Sequence, residues 1–161
     1  MNAAHIHADE SLRCVVDSNQ LAWQASPSPL VQRRLLARDG GEVARATSIV
    51  RYAPGAQFAL HTHERGEEIW VLEGSFGDAL GEYGTGCYLL NPPGSSHAPF
   101  SVEGCTLFVK LRHLQAQDSA RVVVDTAHAQ ARHHPHGLGA LGTRHRVPAA
   151  PALWWRRDFC C

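Results

Sequence analysis

Short β-like runs broken by glycine and proline dominate the chain from Val43 onward and most constrain its fold. Apolar and β-branched residues concentrate in five such runs, at residues 43–53, 57–63, 67–73, 87–91 and 105–112. Gly and Pro turns separate the runs, and no long segment carries the 3.6-residue period of an amphipathic helix. This pattern predicts an all-β protein, built either as a sandwich or as a barrel.

The segments before Val43 carry weaker signals. The first dozen residues are polar, so we expect them to be loose, whereas residues 14–17 have the composition of a short strand. Residues 31–38 fit either one helical turn or an edge strand. The sequence therefore predicts a short N-terminal extension ahead of the strand-rich region.

Composition excludes several classes of protein. With 161 residues and 44% apolar content, the chain can bury one ordinary core. No apolar run approaches the roughly 20 residues that a membrane span needs, and the first residues lack the pattern of a signal peptide. We therefore expect a cytoplasmic protein without a membrane contact. The basic residues form no dense stripe with interleaved aromatics, so no nucleic-acid partner is expected.

The end of the chain differs in charge and composition from the rest. Residues 1–126 carry 10 basic and 14 acidic side chains, a net charge of −4, while residues 127–161 carry 5 and 1, a net charge of +4. Ala, Arg, His, Gly and Pro fill 23 of these last 35 positions, a composition that does not readily bury a core. We predict a domain over residues 12–126 and a poorly ordered tail over residues 127–161.

A short internal sequence similarity adds an alternative interpretation of this tail. The hexamer at residues 121–126 is similar to that at residues 13–18, at a spacing of 108 residues. It is either a chance similarity between β-rich hexamers or the first strand of a second, similar domain. In the second case the tail would be a truncated domain that is read out of frame.

One stretch of the strand-rich region brings together residue types that bind metals. His61 and His63 are two residues apart in a β run, so their side chains share a face. The tight turn that ends at Gly66 reverses the chain and puts Glu67 at the start of an antiparallel strand, within reach of both imidazoles. Glu68 has the opposite parity and is expected to face away.

A fourth candidate ligand follows a rigid bend further along the chain. Residues 92–94 are Pro-Pro-Gly, and this bend can swing the next strand across a barrel mouth and bring His97 to the other three candidates. Three imidazoles and one carboxylate suit a divalent transition metal, with zinc and iron first and manganese, nickel or copper as alternatives. They do not suit calcium or magnesium.

The two stretches satisfy a paired pattern without a gap. The pattern G-x5-HxH-x3-E-x6-G begins at Gly55, and G-x5-P-x-G-x2-H begins at Gly86. These strings resemble the paired motifs of the cupin superfamily, and residues 45–112 are similar to the ChrR-like cupins in particular. The resemblance implies a double-stranded β-helix, also called a jelly roll or cupin barrel, with a metal bound inside it. The four family ligand positions fall on His61, His63, Glu67 and His97.

Two departures from the family pattern limit what the resemblance implies. Ser101 stands where the family usually has an Asn after the second-motif histidine. The anti-sigma members of the family also carry an N-terminal zinc-binding helical domain, for which this sequence shows no His/Cys pattern. A sigma factor is therefore not an expected partner. Exposed strand edges, together with the tendency of cupins to form dimers, predict a homodimer.

The resemblance leaves functions of different classes open. The first is a metal-dependent dioxygenase or a related small-molecule enzyme, because four protein ligands leave one or two metal positions for an enol, a diketone or dioxygen. The second is a non-catalytic sensor or regulatory module that holds redox-inert zinc. The third is a domain that folds without an activity. Five apolar residues are candidates either for the pocket wall or for the core: Phe58, Leu60, Phe76, Tyr88 and Phe100.

Overall fold

A computed structural model of the chain describes residues 4–41, 43–133 and 139–142. The chain divides into two units, Met1–Ala127 and His128–Cys161. In the described ranges every regular element is a β-strand, apart from one turn of 3-10 helix at Ser18–Gln20. The all-β prediction is therefore confirmed. None of the helical structure in these ranges has the length and hydropathy that a membrane span requires.

The strands of the first unit form one large and one small antiparallel sheet. They are β1 (Ala4–Ile6), β2 (Gln24–Ala25), β3 (Val31–Gly40), β4 (Arg45–Tyr52), β5 (His61–His63), β6 (Glu67–Asp78), β7 (Gly81–Gly84), β8 (Cys87–Asn91), β9 (Ser95–His97), β10 (Cys105–Leu111) and β11 (Val122–Asp125). The large sheet has the order β1-β3-β4-β10-β6-β8-β11, with β2 added to β3 and β7 to β6, while β5 and β9 pair separately. Strands from distant parts of the chain are neighbours, as in the predicted jelly roll.

The core lies on the inner face of the large sheet, since alternate residues of a strand face the same side. Ile69 and Val71 on β6, Leu89 on β8 and Leu107 on β10 are each at most 1% exposed. Burial of one such aliphatic side chain stabilises a fold by about 1.5–3 kcal/mol. Phe76, at 1% exposure, extends this core toward the end of β6.

A close backbone approach joins β6 to the turn before β10. Gly74 has φ +72°, and a Cβ at this position would lie 2.2 Å from the carbonyl oxygen of Gly104. The β6–β10 register shifts between Thr106 and Leu107, so the strands bend just beyond this contact. Only a residue without a side chain combines this positive φ with this proximity.

Several strand boundaries differ from the sequence-based expectation. Residues 4–6 are not loose, because β1 pairs with β3 and Ile6 lies opposite Arg38. Residues 14–17 form no strand; they lack a pairing partner, and Val15 is 75% exposed. Residues 31–38 belong to the strand β3, not to a helical turn, and β6 continues to Asp78 to form a hairpin with β7.

The second unit is described only in part. Strands β12 (Gln130–His133) and β13 (Gly139–Gly142) pair antiparallel, with Ala131 opposite Leu141. The remainder of the predicted tail lies outside the described residues. The poorly ordered tail, the out-of-frame alternative and the domain limits 12–126 and 127–161 therefore stay predictions.

Candidate metal centre

The small β5–β9 sheet brings histidines from the two sequence stretches onto one face. His61 pairs directly with His97 in the antiparallel register, and His63 pairs with Ser95. Residues in direct register share a face of a sheet, as do residues two apart, so all three imidazoles point the same way. On the opposite face, the hydroxyls of Thr62 and Ser96 form a 2.8 Å hydrogen bond that fastens the two strands together.

Both turns that flank this sheet meet at one backbone atom. The carbonyl oxygen of His63 accepts hydrogen bonds from the N–H groups of Gly66 at 3.1 Å and of Gly94 at 2.8 Å. Gly66 has φ +68°, as the sequence predicted, and a Cβ there would lie 2.5 Å from Leu114 Cδ1 and 2.9 Å from the carbonyl oxygen of Asn91. The tight turn therefore depends on glycine and sets the point at which β6 begins.

The three imidazoles converge to distances typical of a metal site. One ring nitrogen from each of His61, His63 and His97 lies within 4.8 Å of the other two. Nε2 of His63 is 3.0 Å from Nε2 of His97. Nδ1 of His61 donates to the carbonyl oxygen of Ala59 at 2.9 Å, which leaves Nε2 of this ring as its acceptor atom.

Glu67 borders the cluster on the side of two of these histidines. Its Oε2 atom lies 3.3 Å from Nε2 of His63 and 3.3 Å from Nε2 of His97. Metal–ligand bonds of about 2.0–2.1 Å place neighbouring ligand atoms roughly 2.9–3.4 Å apart at octahedral to tetrahedral angles. The spacings among these three atoms fit that range. Glu68, on the opposite face, accepts a 2.7 Å hydrogen bond from the Tyr88 hydroxyl, as its parity predicted.

Burial keeps the side chains of His63, His97 and Glu67 uncharged in the metal-free fold. Burial, followed by the neighbouring His97 and His61, lowers the pKa of His63 to about 3. Burial likewise lowers the pKa of His97 and raises the pKa of Glu67 to about 8. The short His–Glu distances are therefore contacts of neutral groups near pH 7, not ion pairs. Neutral imidazoles offer the lone pairs that a cation needs, and a cation would favour the ionised carboxylate.

Three outer groups contact these side chains, and sequence reasoning identified none of them. Asn91 Nδ2 donates to Glu67 Oε2 at 3.3 Å, the backbone of Ala59 contacts His61, and Asp78 Oδ2 lies 3.6 Å from His97 Nδ1. Asn91 is the last residue of β8, just before the Pro-Pro-Gly bend, and this position beside the motif could have identified it as a partner. No feature of the sequence identified Asp78, because its contact depends on how far β6 extends.

A cavity of about 350 Å³ opens beside the cluster. Tyr52, Phe58 and Phe76 line it together with the three histidines and Glu67. Phe58 is 5.9 Å from His61 and Phe76 is 6.2 Å from His97, measured between ring centroids. The other three predicted wall residues are not part of this lining: Leu60 is 74% exposed, Phe100 is 38% exposed, and Tyr88 contacts Glu68 instead.

Ser101, which replaces the usual family asparagine, has a structural contact in this chain. It is 2% exposed, and its hydroxyl donates to the carbonyl oxygen of Ser75 at 2.6 Å. Its backbone N–H also donates to the carbonyl oxygen of Ala56 at 2.9 Å. The side chain therefore ties the segment after β9 to β6.

The fold and the cluster together define a jelly-roll protein with a histidine-rich candidate metal centre beside its inner cavity. The family model described as the ChrR Cupin-like domain matches residues 11–115. The chain belongs to this family, which confirms the resemblance of the paired motifs. The curated proteins include no sequence match.

Solved structures support the same fold. A chain of the crystal structure of Rhodobacter sphaeroides SigE in complex with the anti-sigma ChrR is 21% identical, with a TM-score of 0.49. The match covers 57% of this chain and 50% of that one. An RmlC-like cupin from Ralstonia eutropha JMP134 is 17% identical, with a TM-score of 0.55 and coverage of 71% and 80%. A protein proposed to be an acetylacetone dioxygenase, from Methylibium petroleiphilum PM1, is 16% identical, with a TM-score of 0.56 and coverage of 72% and 92%.

The two matches with TM-scores above 0.5 support the architecture. The chain spans only half the length of the chain that it matches in the SigE–ChrR complex. The confirmed jelly roll positions three histidines that could hold a metal. The assignment of His61, His63, Glu67 and His97 as its ligands is a proposal, argued below.

Proposed function

We propose that the protein binds one divalent transition metal through His61, His63, His97 and Glu67. The observation that carries this proposal is the convergence of His63 Nε2, His97 Nε2 and Glu67 Oε2, at 3.0, 3.3 and 3.3 Å from one another. The donor set favours zinc or iron, with manganese or nickel as alternatives.

The cavity supports a catalytic use of this centre, most specifically as a small-molecule enzyme of the dioxygenase type. Its volume of about 350 Å³ lies at the lower end of the range for small-molecule sites. A bound metal would supply Lewis acidity and, if it is iron, the ability to activate dioxygen. The aromatic wall of Tyr52, Phe58 and Phe76 would pack against a flat apolar substrate and exclude water from it.

The metal proposal is tested by metal analysis of the purified protein and of His97→Ala. We expect close to one metal ion per chain in the wild type and almost none in His97→Ala. His5→Ala is the matched control, because the side chain of His5 is 63% exposed on β1. Full metal occupancy in His97→Ala, or no metal in the wild type, would contradict the ligand assignment.

The catalytic proposal requires a separate measurement of oxygen uptake. Iron in the wild type, with oxygen consumption on 1,3-dicarbonyl or hydroxyaryl-ketone substrates, would support the enzyme. The same assay on His97→Ala should give no uptake. Oxygen consumption that persists without the metal would contradict a role of this centre in turnover.

A second candidate is a non-catalytic zinc-binding sensor or regulatory module, and the family match favours it. The family model carries the name of ChrR, an anti-sigma protein. In this case the wild type should hold stoichiometric zinc and show no turnover. Recovery of a sigma factor on a tagged chain would settle the anti-sigma form of this candidate, although the sequence does not predict that partner. A homodimer, a cytoplasmic location and the lack of nucleic-acid and membrane partners stay predictions of the sequence.

A further inference from the structure

His97 faces a buried carboxylate on the side of its ring away from the candidate metal position. Its Nδ1 atom lies 3.6 Å from Oδ2 of Asp78, and the two side chains are 8% and 2% exposed. Nδ1 has no hydrogen-bond partner among the described residues, since 3.6 Å is longer than a normal hydrogen bond. A small closure of this gap would pair the two groups.

A network on the β6–β7 hairpin holds Asp78 in place. Its Oδ1 atom accepts hydrogen bonds from the backbone N–H of Leu80 at 2.8 Å and from the Tyr83 hydroxyl at 3.2 Å. Arg121 donates to the Tyr83 oxygen at 2.6 Å and reaches to within 3.9 Å of Asp78 Oδ2. Both hydrogen bonds to Oδ1 therefore come from the hairpin, whereas Oδ2 points toward His97 and the guanidinium of Arg121.

We propose that Asp78 is a positioning residue that selects the ring tautomer of His97, and that Tyr83 and Arg121 hold Asp78 for this task. This inference rests on the proposed metal-binding function. A neutral imidazole carries one proton, so a carboxylate that accepts it at Nδ1 leaves the lone pair on Nε2. Nε2 is the atom that points to His63 and Glu67, and a cation bound there would strengthen the Nδ1–H donor.

The network extends beyond the part of the chain that the family model matches. That match ends at residue 115, whereas Arg121 immediately precedes β11. Strand β11 pairs with β8, with Val122 opposite Leu90, and this pairing places Arg121 beside the hairpin. A buried carboxylate needs a nearby positive charge or several hydrogen bonds. Arg121 supplies the charge at 3.9 Å, and it donates to the Tyr83 hydroxyl that in turn donates to Asp78. Residues 116–125 therefore complete the support of the candidate site.

The test compares Asp78→Asn with the wild type in the metal-free protein and in zinc titrations. Because two donors already point at Oδ1, the asparagine oxygen should occupy that position and its NH₂ group should face His97. This arrangement favours the opposite tautomer, with the proton on Nε2. Nitrogen-15 NMR of the His97 ring should detect this change, and zinc affinity should fall by about 10–100-fold.

Two variants distinguish positioning from a general structural effect. Glu82→Gln removes an exposed carboxylate from β7 and should leave both the tautomer and the zinc affinity unchanged. Arg121→Gln changes a side chain that is 30% exposed, so it serves if Asp78→Asn does not fold, and it should cause a smaller loss in the same direction. A purely structural role would lower the melting temperature without changing the tautomer.

The possible failures are distinguishable. Wild-type tautomer and wild-type zinc affinity in Asp78→Asn would overturn the positioning role, even if the wild type binds metal. If the wild type binds no metal, the proposed function fails, but the NMR measurement on the metal-free protein still decides whether Asp78 selects the tautomer. Wild-type behaviour of Arg121→Gln in both measurements would remove Arg121 from the network.

Discussion

Glu67 and Glu68 are adjacent on β6 and equally buried, at 7% exposure each, yet they face opposite sides of the sheet. Glu67 points to the histidines, with Oε2 at 3.3 Å from two imidazole nitrogens. Glu68 points to Tyr88 and accepts a 2.7 Å hydrogen bond from its hydroxyl. The same residue type at consecutive positions therefore occupies two different chemical environments, which makes the pair a matched test of the site.

Glu67→Gln should weaken metal binding far more than Glu68→Gln. The first substitution removes the candidate ligand charge, so we expect a loss that exceeds the roughly 10–100-fold effect typical of an outer partner. The second should stay within about twofold of the wild type, because its side chain faces away. Competition titration with a chromogenic zinc chelator measures both. Loss of the ion in Glu68→Gln would mean that the wrong carboxylate has been assigned.

Asn91→Ala should lower metal affinity by roughly tenfold, because the Asn91 amide orients Glu67 through a 3.3 Å hydrogen bond to Oε2. That bond also holds the pKa of Glu67 below the value that burial alone would produce. Its removal should make metal binding more dependent on pH around neutrality. Asn19→Ala, at an exposed position, is the control in the same zinc titration. Unchanged affinity in Asn91→Ala would show that β8 does not orient the carboxylate.

The ionisation of Glu67 should lower the stability of the metal-free protein as the pH rises from about 5 to about 8. The pKa of Glu67 is raised from 4.5 to about 8 in the fold, so the folded state holds a proton that the unfolded chain has lost in this window. A rise in pH disfavours the state that binds more protons, and for Glu67 this is the folded state. His63 contributes in the opposite direction below about pH 6.5, because its pKa is lowered to about 3 in the fold while the imidazole of the unfolded chain still takes up a proton there. Comparison with Glu67→Gln isolates the contribution of Glu67.

Glu67→Gln cannot ionise, so its stability should lack this contribution over the same range. Urea unfolding with a chelator present should show the variant gaining on the wild type by up to about 3–5 kcal/mol between pH 5 and pH 8. Saturating zinc should remove the decline in the wild type, because the cation favours the ionised carboxylate. Parallel pH profiles of the two metal-free proteins would contradict the burial of an uncharged Glu67.

Gly74→Ala should destabilise the fold by about 3 kcal/mol. A Cβ at this position would lie 2.2 Å from the Gly104 carbonyl oxygen, at φ +72°, where L residues are strained. Gly84→Ala, in the facing strand β7, is the control, because a Cβ there meets no atom within 4 Å. Chemical unfolding of both variants measures the difference. Equal stability would show that β6 and the turn before β10 can separate at little cost.

The sequence predicted those parts of the site that depend on local geometry. His61 and His63 share a face because strand periodicity is two residues, and Gly66 adopts a positive φ because the turn is tight. The opposite directions of Glu67 and Glu68 follow from the same periodicity. These predictions needed no knowledge of which strands become neighbours.

The outer partners could not be predicted, because they depend on strand pairing over long distances in the sequence. Asn91 contacts Glu67 across the β6–β8 register, and Asp78 contacts His97 only because β6 extends past Gly74 into the β7 hairpin. The composition of the pocket wall also depends on strand pairing, so the sequence predicted it only in part. Phe58 and Phe76 line the cavity, whereas Leu60 and Phe100 lie in more exposed positions.

The sequence by itself determined the all-β class, the paired motifs and the residue types of the candidate centre, because strand periodicity, turns and ligand chemistry are local properties. Only the tertiary structure decided how those groups meet. The β5–β9 pairing brings together histidines that are 34 residues apart, and burial then shifts their pKa values and that of Glu67. Distances between side chains and their removal from water arise when distant strands pack, so neither is encoded in any single stretch of the chain.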